Sequence, residues 1–162
     1  FKGEKTHSAT LGRTNALKKT LNDSGKKINY VFEDNADWST ETAEKYFELF
    51  LKTGQKADAV ACNNDDMALG IVNACENNNI SLDSVPVIGV DATEKGCKSI
   101  AEGKMAFTIY QSGSGQGEYL IKAAIRLAHG DSLDGLDYLS DDGKYVWVPF
   151  EKVDKNNVSK YQ

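Results

Sequence analysis

The sequence contains no long apolar run, few cysteines and no excess of positive charge. No apolar run approaches the roughly 18 residues that a membrane-spanning helix needs, so no such helix is predicted. The three cysteines, Cys62, Cys75 and Cys97, do not have the spacing of metal ligands, and their odd number provides no disulfide framework. With a net charge of −5, the chain lacks the basic surface that phosphate binding requires, which argues against nucleic acid as the main partner.

The motifs of common enzymes and cofactor-binding sites are also missing. No G-x-S-x-G nucleophile motif occurs. The stretch SGSGQGE (112–118) follows a predicted strand, but Glu118 stands where a dinucleotide-binding loop needs its third glycine. The aspartates between 131 and 142 lie three and then four residues apart, whereas an EF-hand spaces its first ligands by two. We therefore predict no cofactor and no metal.

What the sequence does contain is an alternation of short apolar strands and amphipathic helices. Such alternation is typical of βαβ units, so we predict an α/β fold, a Rossmann-like parallel sheet with helices on both faces. The predicted strands are 28–34, 58–62, 85–90, 105–111 and 144–150. The predicted helices are 9–25, 38–54, 64–78, 93–103, 116–129 and 154–161.

Polar and aromatic residues follow the predicted strands, at the edge of the sheet where such folds bind ligands. They are His7, Trp38, Asn63, Asn64, Asp91 and Gln111. Amides donate and accept hydrogen bonds and a carboxylate accepts them, which suits a ligand with several hydroxyls. An indole can stack on the apolar face of a pyranose, and the forked guanidinium of Arg13 can bind neighbouring oxygens. The pattern indicates a sugar site.

An enzyme remains an alternative at this stage. His7 could act as a base, and Asp91 could be one carboxylate of a glycosidase pair. For single residues a purely structural role also stays open, because Asn and Asp are common in turns and helix caps and Trp38 stands at a helix entry.

Several stretches together resemble one family. They are KGEKTHSATLGRTNAL, DNADWSTETA, NNDDMALG, VPVIGVDATEKGCKSIAEGKMAFTIYQ and VWVPFEKVDKNNVSKY. They resemble the bacterial periplasmic sugar-binding proteins of ABC transport, most closely the glucose/galactose-binding members. The resemblance implies that a hexose is bound without catalysis between two lobes. It implies hydrogen bonds to the sugar from His7, Arg13, Asn64, Asp91 and Gln111 and stacking by Trp38.

Two positions depart from the family pattern. Ala9 replaces an Asp and Gln111 replaces an Asn, which leaves the sugar and its anomer open. Within ACNNDDMALG (61–70) we expect Asn64 to contact the ligand, Asn63 to support the turn, and Asp65 and Asp66 to cap the following helix. Asp58 matches a distant acidic residue of the family's calcium loop, but alone it cannot hold calcium.

The resemblance also implies a domain organisation. Residues 1–111 match the C-terminal sugar-binding lobe, without its first helix and most of its first strand. Residues 112–145 match the segment that crosses to the other lobe and back, and 146–162 match the last strand and terminal helix. We therefore expect an incomplete sheet.

The partners that the resemblance implies are the N-terminal lobe, a membrane ABC permease and a chemoreceptor, outside the cytoplasm. The alternative is the sensing core of a sugar-responsive regulator or kinase sensor of the same fold.

Overall fold

Helices and strands alternate along the chain, as the sequence pattern predicts. The computed structural model describes residues 1–162. Its helices are α1 (Ser8–Asp23), α2 (Thr40–Lys52), α3 (Asp65–Asn77), α4 (Glu94–Ala101) and α5 (Gly113–Ala128), followed by a 3₁₀ turn at Val158–Lys160. Its strands are β1 (Val60–Ala61), β2 (Val87–Ile88), β3 (Phe107–Gln111) and β4 (Phe150–Asp154). The predicted α/β class is confirmed.

The four strands form one sheet in the order β1-β2-β3-β4. β1 pairs with β2 in parallel through Val60 with Val87, and β2 pairs with β3 in parallel through Ile88 with Phe107. Because parallel strands share their direction, the carboxyl ends of β1, β2 and β3 meet at the same edge of the sheet. At this edge Asn64 follows β1 and Asp91 follows β2, and both are residues predicted to bind ligand.

The core lies where α2 and α3 pack closely together. Met67 and Ile71 of α3 have no exposed surface, and Phe47 and Phe50 of α2 are nearly as buried. Gly70 permits the contact, because a Cβ there would lie 2.2 Å from the Thr40 carbonyl oxygen. Burial of such side chains contributes roughly 1.5–3 kcal/mol each, so this interface contributes substantially to the stability of the fold.

All three cysteines are free and buried in this fold. Burial raises the pKa of the Cys62 and Cys75 thiols to about 11, so the reactive thiolate form is scarce at neutral pH. The three cysteines are thus packed as free thiols in the interior.

The predicted strand at 28–34 is wrong as a formed strand. Residues 28–33 make no backbone hydrogen bond to any other segment, and a single parallel bridge joins Lys2 to Asn35 just beyond them. A strand exists only through its partners, and no chain lies beside these residues to receive their hydrogen bonds. For the same reason β1 is shorter than the predicted strand 58–62, since it is paired on one side only over Val60–Ala61.

The C-terminal segment also differs from its prediction. The strand begins at Phe150 and ends at Asp154, whereas 144–150 was predicted, and the terminal helix shortens to the 3₁₀ turn Val158–Lys160. The apolar run at 144–150 is misleading because Trp147 and Phe150 are more than half exposed, whereas Val153 is fully buried. Pro149 adds a residue without a backbone donor in the predicted run.

The chain divides into two compact units. One comprises residues 1–109 and 152–162, and the other comprises residues 110–151. The second unit carries α5, which begins at Gly113 instead of the predicted 116 because the Ser112 hydroxyl accepts a hydrogen bond from the Gly115 amide. None of the helices is long and apolar enough to cross a bilayer.

Candidate ligand-binding site

An ion pair lies at the centre of the candidate site. The Arg13 guanidinium, on the second turn of α1, donates from Nη2 to Asp91 Oδ1 at 3.0 Å. Its Nη1 donates to the backbone carbonyl of Asn63. The side chains of Arg13 and Asp91 are 19% and 33% exposed, so the pair is accessible to solvent. The hydrogen bond to the Asn63 carbonyl fixes the orientation of the guanidinium. A residue from the first helix and one after β2, 78 positions apart, thus meet at the carboxyl edge of the sheet.

Two aromatic rings complete this cluster. The Arg13 guanidinium carbon lies 5.8 Å from the centre of the Trp38 indole, within the range of a cation–π contact. The His7 imidazole meets the same indole edge-on, with ring centres 5.3 Å apart. His7 is exposed and also caps α1, since its Nδ1 accepts a hydrogen bond from the Ala9 amide at 3.1 Å. The cluster therefore presents a cation, a carboxylate and two rings to one space.

Trp38 is placed by backbone that most residues avoid. Asp37 and Trp38 have φ values of 51° and 67°, in the left-handed region. The indole lies directly against Gly3, where a Cβ would come within 2.1 Å of the ring. Gly3 is thus a site residue that the sequence motifs did not reveal. Its contact is with the Trp38 ring, 35 positions later in the chain, and no neighbouring residue indicates that contact.

Asp91 is held in a similarly unusual conformation. Asp91 and Ala92 have φ values of 117° and 53°. Of the six non-glycine residues with positive φ, four lie in these two pairs beside the candidate site. Such conformations cost roughly 1–3 kcal/mol each and persist only where surrounding contacts impose them, and they cluster at functional sites. The positions of the indole and the carboxylate are therefore imposed by the fold.

The two asparagines of the NNDD stretch are buried and serve the framework. Asn63 Oδ1 accepts hydrogen bonds from the Gly3 amide and the Thr14 hydroxyl, both at 3.2 Å. Asn64 Oδ1 accepts from the Met67 amide at 3.0 Å and is the N-cap of α3. Its Nδ2 donates to the Trp38 carbonyl at 3.4 Å, which ties the cap to the loop that carries the indole. The predicted contact of Asn64 with a ligand stays a prediction.

Asp65 does not cap the helix, and that part of the prediction is wrong. Its carboxylate turns away from the α3 terminus and accepts from the Thr108 hydroxyl at 2.5 Å and from the Thr93 amide at 2.8 Å. Asn64 performs the capping because its backbone is extended, as an N-cap requires, whereas Asp65 is already helical. Both Asp65 and Asp66 still lie in the first turn, where they favour the positive end of the helix dipole.

Asp65 supports the loop that carries Asp91. Thr108, which donates to Asp65, accepts in turn from the Ala92 amide at 3.2 Å. Asp65 and Thr108 have no exposed surface. Burial raises the pKa of Asp65 from 3.8 to about 6, although the hydrogen bonds from Thr108 and Thr93 oppose this shift and the nearby Asp91 charge adds to it.

Two glycines make room for the Asp65 carboxylate. A Cβ at Gly89 would lie 2.3 Å from Oδ1, and a Cβ at Gly96 would lie 2.3 Å from Oδ2. Both glycines occur in the stretch VPVIGVDATEKGC, in which the sequence predicts an apolar strand and singles out Asp91 but gives no role to either glycine. The sequence shows two acidic residues, Asp65 and Asp66, directly after the Asn64 cap. The pattern does not indicate which of the two carboxylates points into the interior.

Three further positions were singled out in the sequence, namely Gln111, Ala9 and Asp58. Gln111 ends β3 and belongs to the second unit, where it is half-buried. Ala9 is half-buried in the first turn of α1, and Asp58 is exposed just before β1. No group of three or more potential metal ligands occurs.

Comparison with known proteins identifies the family of this arrangement. A model of the periplasmic binding protein domain matches residues 1–132. A protein of Rhizobium meliloti, named as a candidate rhizopine-binding protein, is 32% identical over 99% of this chain and 49% of its own length. The D-galactose/methyl-galactoside binding periplasmic protein of Haemophilus influenzae is 29% identical over 99% of this chain and 48% of its own. The chain thus spans about half the length of these relatives.

Solved structures agree with the sequence relatives. An ABC transporter solute-binding protein from Bacillus halodurans with bound myo-inositol is 32% identical, with a TM-score of 0.81 over 99% of this chain and 52% of that one. A periplasmic solute-binding protein from Actinobacillus succinogenes with bound D-allose is 25% identical, with a TM-score of 0.82 over 99% and 53%. The chain belongs to the type I periplasmic binding protein family.

Proposed function

We propose that this chain is one lobe of a solute-binding protein that holds a hexose, glucose or galactose, without catalysis. The observation that carries this proposal is the position of Arg13, fixed between the Asp91 carboxylate and the Trp38 ring at the carboxyl edge of the sheet. A guanidinium fork and a carboxylate together bind adjacent hydroxyls of a sugar, since one donates and the other accepts. The indole offers an apolar surface for the C–H face of the ring.

Binding without catalysis fits the chemistry of the same residues. Asp91 forms an ion pair with the Arg13 guanidinium, an arrangement that suits paired hydrogen bonds to the hydroxyls of a sugar. The His7 Nδ1 already accepts a hydrogen bond from the Ala9 amide, and the imidazole packs edge-on against Trp38. Both contacts suit a residue that lines the site better than one that acts as a catalytic base.

A cyclic polyol is the second candidate ligand, because one relative of 32% identity was solved with myo-inositol. Inositol and a pyranose share a ring of hydroxyls but differ in the ring oxygen and the anomeric carbon. Ala9 stands where the resemblance expects an Asp near the anomeric end, so this chain has lost an acceptor that a sugar would use there. Each such charge-assisted hydrogen bond contributes roughly 1.5–3 kcal/mol.

The wider role follows from the family. We propose that the closed, ligand-bound form delivers its sugar to a membrane ABC permease, and that a chemoreceptor binds the same form. This places the protein outside the cytoplasmic membrane. Closure of two lobes around the ligand would bring a second set of side chains to the sugar.

The test is ligand binding by this chain, followed through Trp38. The chain has two tryptophans, so a Trp147→Phe variant isolates the emission of Trp38; Trp147 is 66% exposed and lies in the other unit. Titration with D-glucose, D-galactose, D-ribose and myo-inositol should change this emission saturably for one or two ligands. Saturation-transfer NMR should show that the same ligands contact the protein.

Matched variants separate the site from general effects. Arg13→Ala and Asp91→Ala should abolish the response, whereas Lys19→Ala, on the exposed face of the same helix, should leave it unchanged. If none of the four ligands alters Trp38 emission or receives saturation, the proposal fails. If myo-inositol alone responds, the hexose assignment fails and the polyol assignment stands.

A further inference from the structure

The loop after β2 that carries Asp91 is held by side chains as well as by backbone. The Asp91 amide donates to a backbone carbonyl of β3 at 2.8 Å. The next two amides donate to side chains instead, Ala92 to the Thr108 hydroxyl at 3.2 Å and Thr93 to Asp65 Oδ2 at 2.8 Å. Two of these three hydrogen bonds can therefore be removed by substitution without a change in the loop itself.

Asp65 fixes the direction of the hydrogen bonds at Thr108. A hydroxyl has one proton, and Thr108 donates that proton to Asp65 Oδ1 at 2.5 Å. An ionised carboxylate only accepts, so the hydroxyl lone pairs remain free to accept from the Ala92 amide. Thr108 thus connects α3, through Asp65, to the loop that carries Asp91.

The backbone conformation of the loop explains why it needs this support. Asp91 and Ala92 have φ values of 117° and 53°, which residues with a side chain seldom adopt. Such conformations persist only where surrounding contacts impose them, and the hydrogen bond from Ala92 to Thr108 is one of these contacts. Without it we expect the loop to relax, and rotation of the backbone at Asp91 moves the carboxylate away from Arg13.

Neither Thr108 nor Asp65 is positioned to contact a ligand, since neither has any exposed surface. Close packing keeps the Asp65 carboxylate in place, because a Cβ at Gly89 or at Gly96 would lie 2.3 Å from one of its oxygens. An effect of Thr108 on ligand binding therefore passes through the Asp91 loop.

We propose that Thr108, held by Asp65, is a positioning residue of the ligand-binding site, whose hydroxyl fixes the loop so that the Asp91 carboxylate stays on Arg13 and faces the ligand. This inference rests on the sugar-binding function proposed above. It adds a buried hydroxyl of β3 to the groups that set ligand affinity.

The first test compares two substitutions of Thr108 in the Trp147→Phe chain, titrated with D-galactose and with myo-inositol. Thr108→Val nearly keeps the shape but removes the hydroxyl, and it should weaken binding at least tenfold. Thr108→Ser keeps the hydroxyl and should bind within about threefold of the chain with Thr108. Ser99→Ala is the matched control, because it removes a buried hydroxyl that has no hydrogen-bond partner, and it should leave the affinity unchanged.

A double-substitution cycle separates positioning from a general effect on the fold. Asp91→Asn keeps one acceptor oxygen but loses the charge that pairs with Arg13. In the Asp91→Asn chain, Thr108→Val no longer displaces a paired carboxylate, so its effect on affinity should shrink to less than about threefold. An equal tenfold loss in both chains would overturn the proposal, because Thr108 would then act without Asp91.

A measurement without ligand distinguishes this proposal from the proposed function. If neither D-galactose nor myo-inositol binds the chain, the proposed sugar site fails, and the positioning role is decided by heteronuclear NMR. Thr108→Val should speed hydrogen exchange of the Ala92 amide at least tenfold and shift the guanidinium signals of Arg13, whereas Thr108→Ser should do neither. The Ala92 rate is taken relative to that of Ile71, in the middle of α3, which corrects for any change in global stability. Unchanged Ala92 exchange and unchanged Arg13 signals in Thr108→Val would overturn the positioning role.

Discussion

The buried carboxylate of Asp65 makes a measurable prediction about stability and pH. Asp65 has 0% exposed surface, and its carboxylate is the acceptor that joins Thr93 and Thr108 beneath the Asp91 loop. The change is Asp65→Asn, which keeps the size and one acceptor oxygen but removes the titrating group.

The magnitude follows from the pKa of Asp65, raised from 3.8 to about 6 by burial. Because the folded-state pKa lies above the unfolded value, the folded state binds the proton more tightly than the unfolded state. The stability that comes from protonation is fully present below the unfolded pKa and is lost as the pH rises through the folded pKa. A shift of about two units corresponds to about 3 kcal/mol.

The assay is urea unfolding followed by circular dichroism, at several values between about pH 4 and pH 7. Relative to the Asp65→Asn chain, the unsubstituted chain should lose roughly 2–2.5 kcal/mol of unfolding free energy over this range, because part of the full effect falls below pH 4. Taking the difference between the two chains cancels the carboxylates that they share. Asp66→Asn, one residue along and exposed, is the matched control for removing a carboxylate from the same helix turn.

Two results would refute this reasoning. A difference between the two chains that stays constant with pH would mean that the folded-state pKa of Asp65 is not raised. A difference that grows in the opposite direction would mean that the hydrogen bonds from Thr93 and Thr108 outweigh burial.

Three further substitutions test the site and its support. Gly3→Ala should displace the Trp38 indole, because the new Cβ would lie 2.1 Å from the ring, and both tryptophan emission and ligand affinity should change. Arg13→Lys keeps the charge but loses the fork that holds Asp91 and a backbone carbonyl together, so ligand affinity should fall at least tenfold in a fluorescence titration; an unchanged affinity would remove Arg13 from the site. Asn64→Ala removes the N-cap of α3 and should cost about 1 kcal/mol in urea unfolding, whereas Asn64→Asp retains a capping oxygen and should cost much less.

The helices could be predicted because their signals are local. Ser39 stands directly before the second helix, and its hydroxyl accepts a hydrogen bond from the Thr42 amide. Gly25 and Gly103 follow the ends of α1 and α4 with φ values of 68° and 76°, the left-handed conformation that commonly ends a helix. Backbone hydrogen bonds in a helix join residues four apart, so a short window of sequence contains both partners.

The strands were harder to predict, because their partners are distant. The segment 28–34 has the composition of a strand, yet its backbone stays unpaired where no neighbour is present. At the C-terminus, the apolar run at 144–150 drew the prediction away from Phe150–Asp154, where only Val153 is buried. Composition indicates which residues can form a strand, and pairing decides which do.

The sequence by itself determined the α/β class and the helix boundaries within a few residues. It also brought His7, Trp38 and Asp91 to notice as residues that follow predicted strands. These conclusions need only periodicity, caps and the rule that parallel strands end at a common edge.

Only the tertiary structure showed the separate roles of the residues in NNDD (63–66). Asn64 caps the helix, and the Asp65 side chain points into the interior beneath the Asp91 loop. The sequence cannot distinguish these adjacent polar residues, because each task depends on a partner far along the chain. For Asp65 those partners are Thr93 and Thr108, and the space comes from two glycines in other elements.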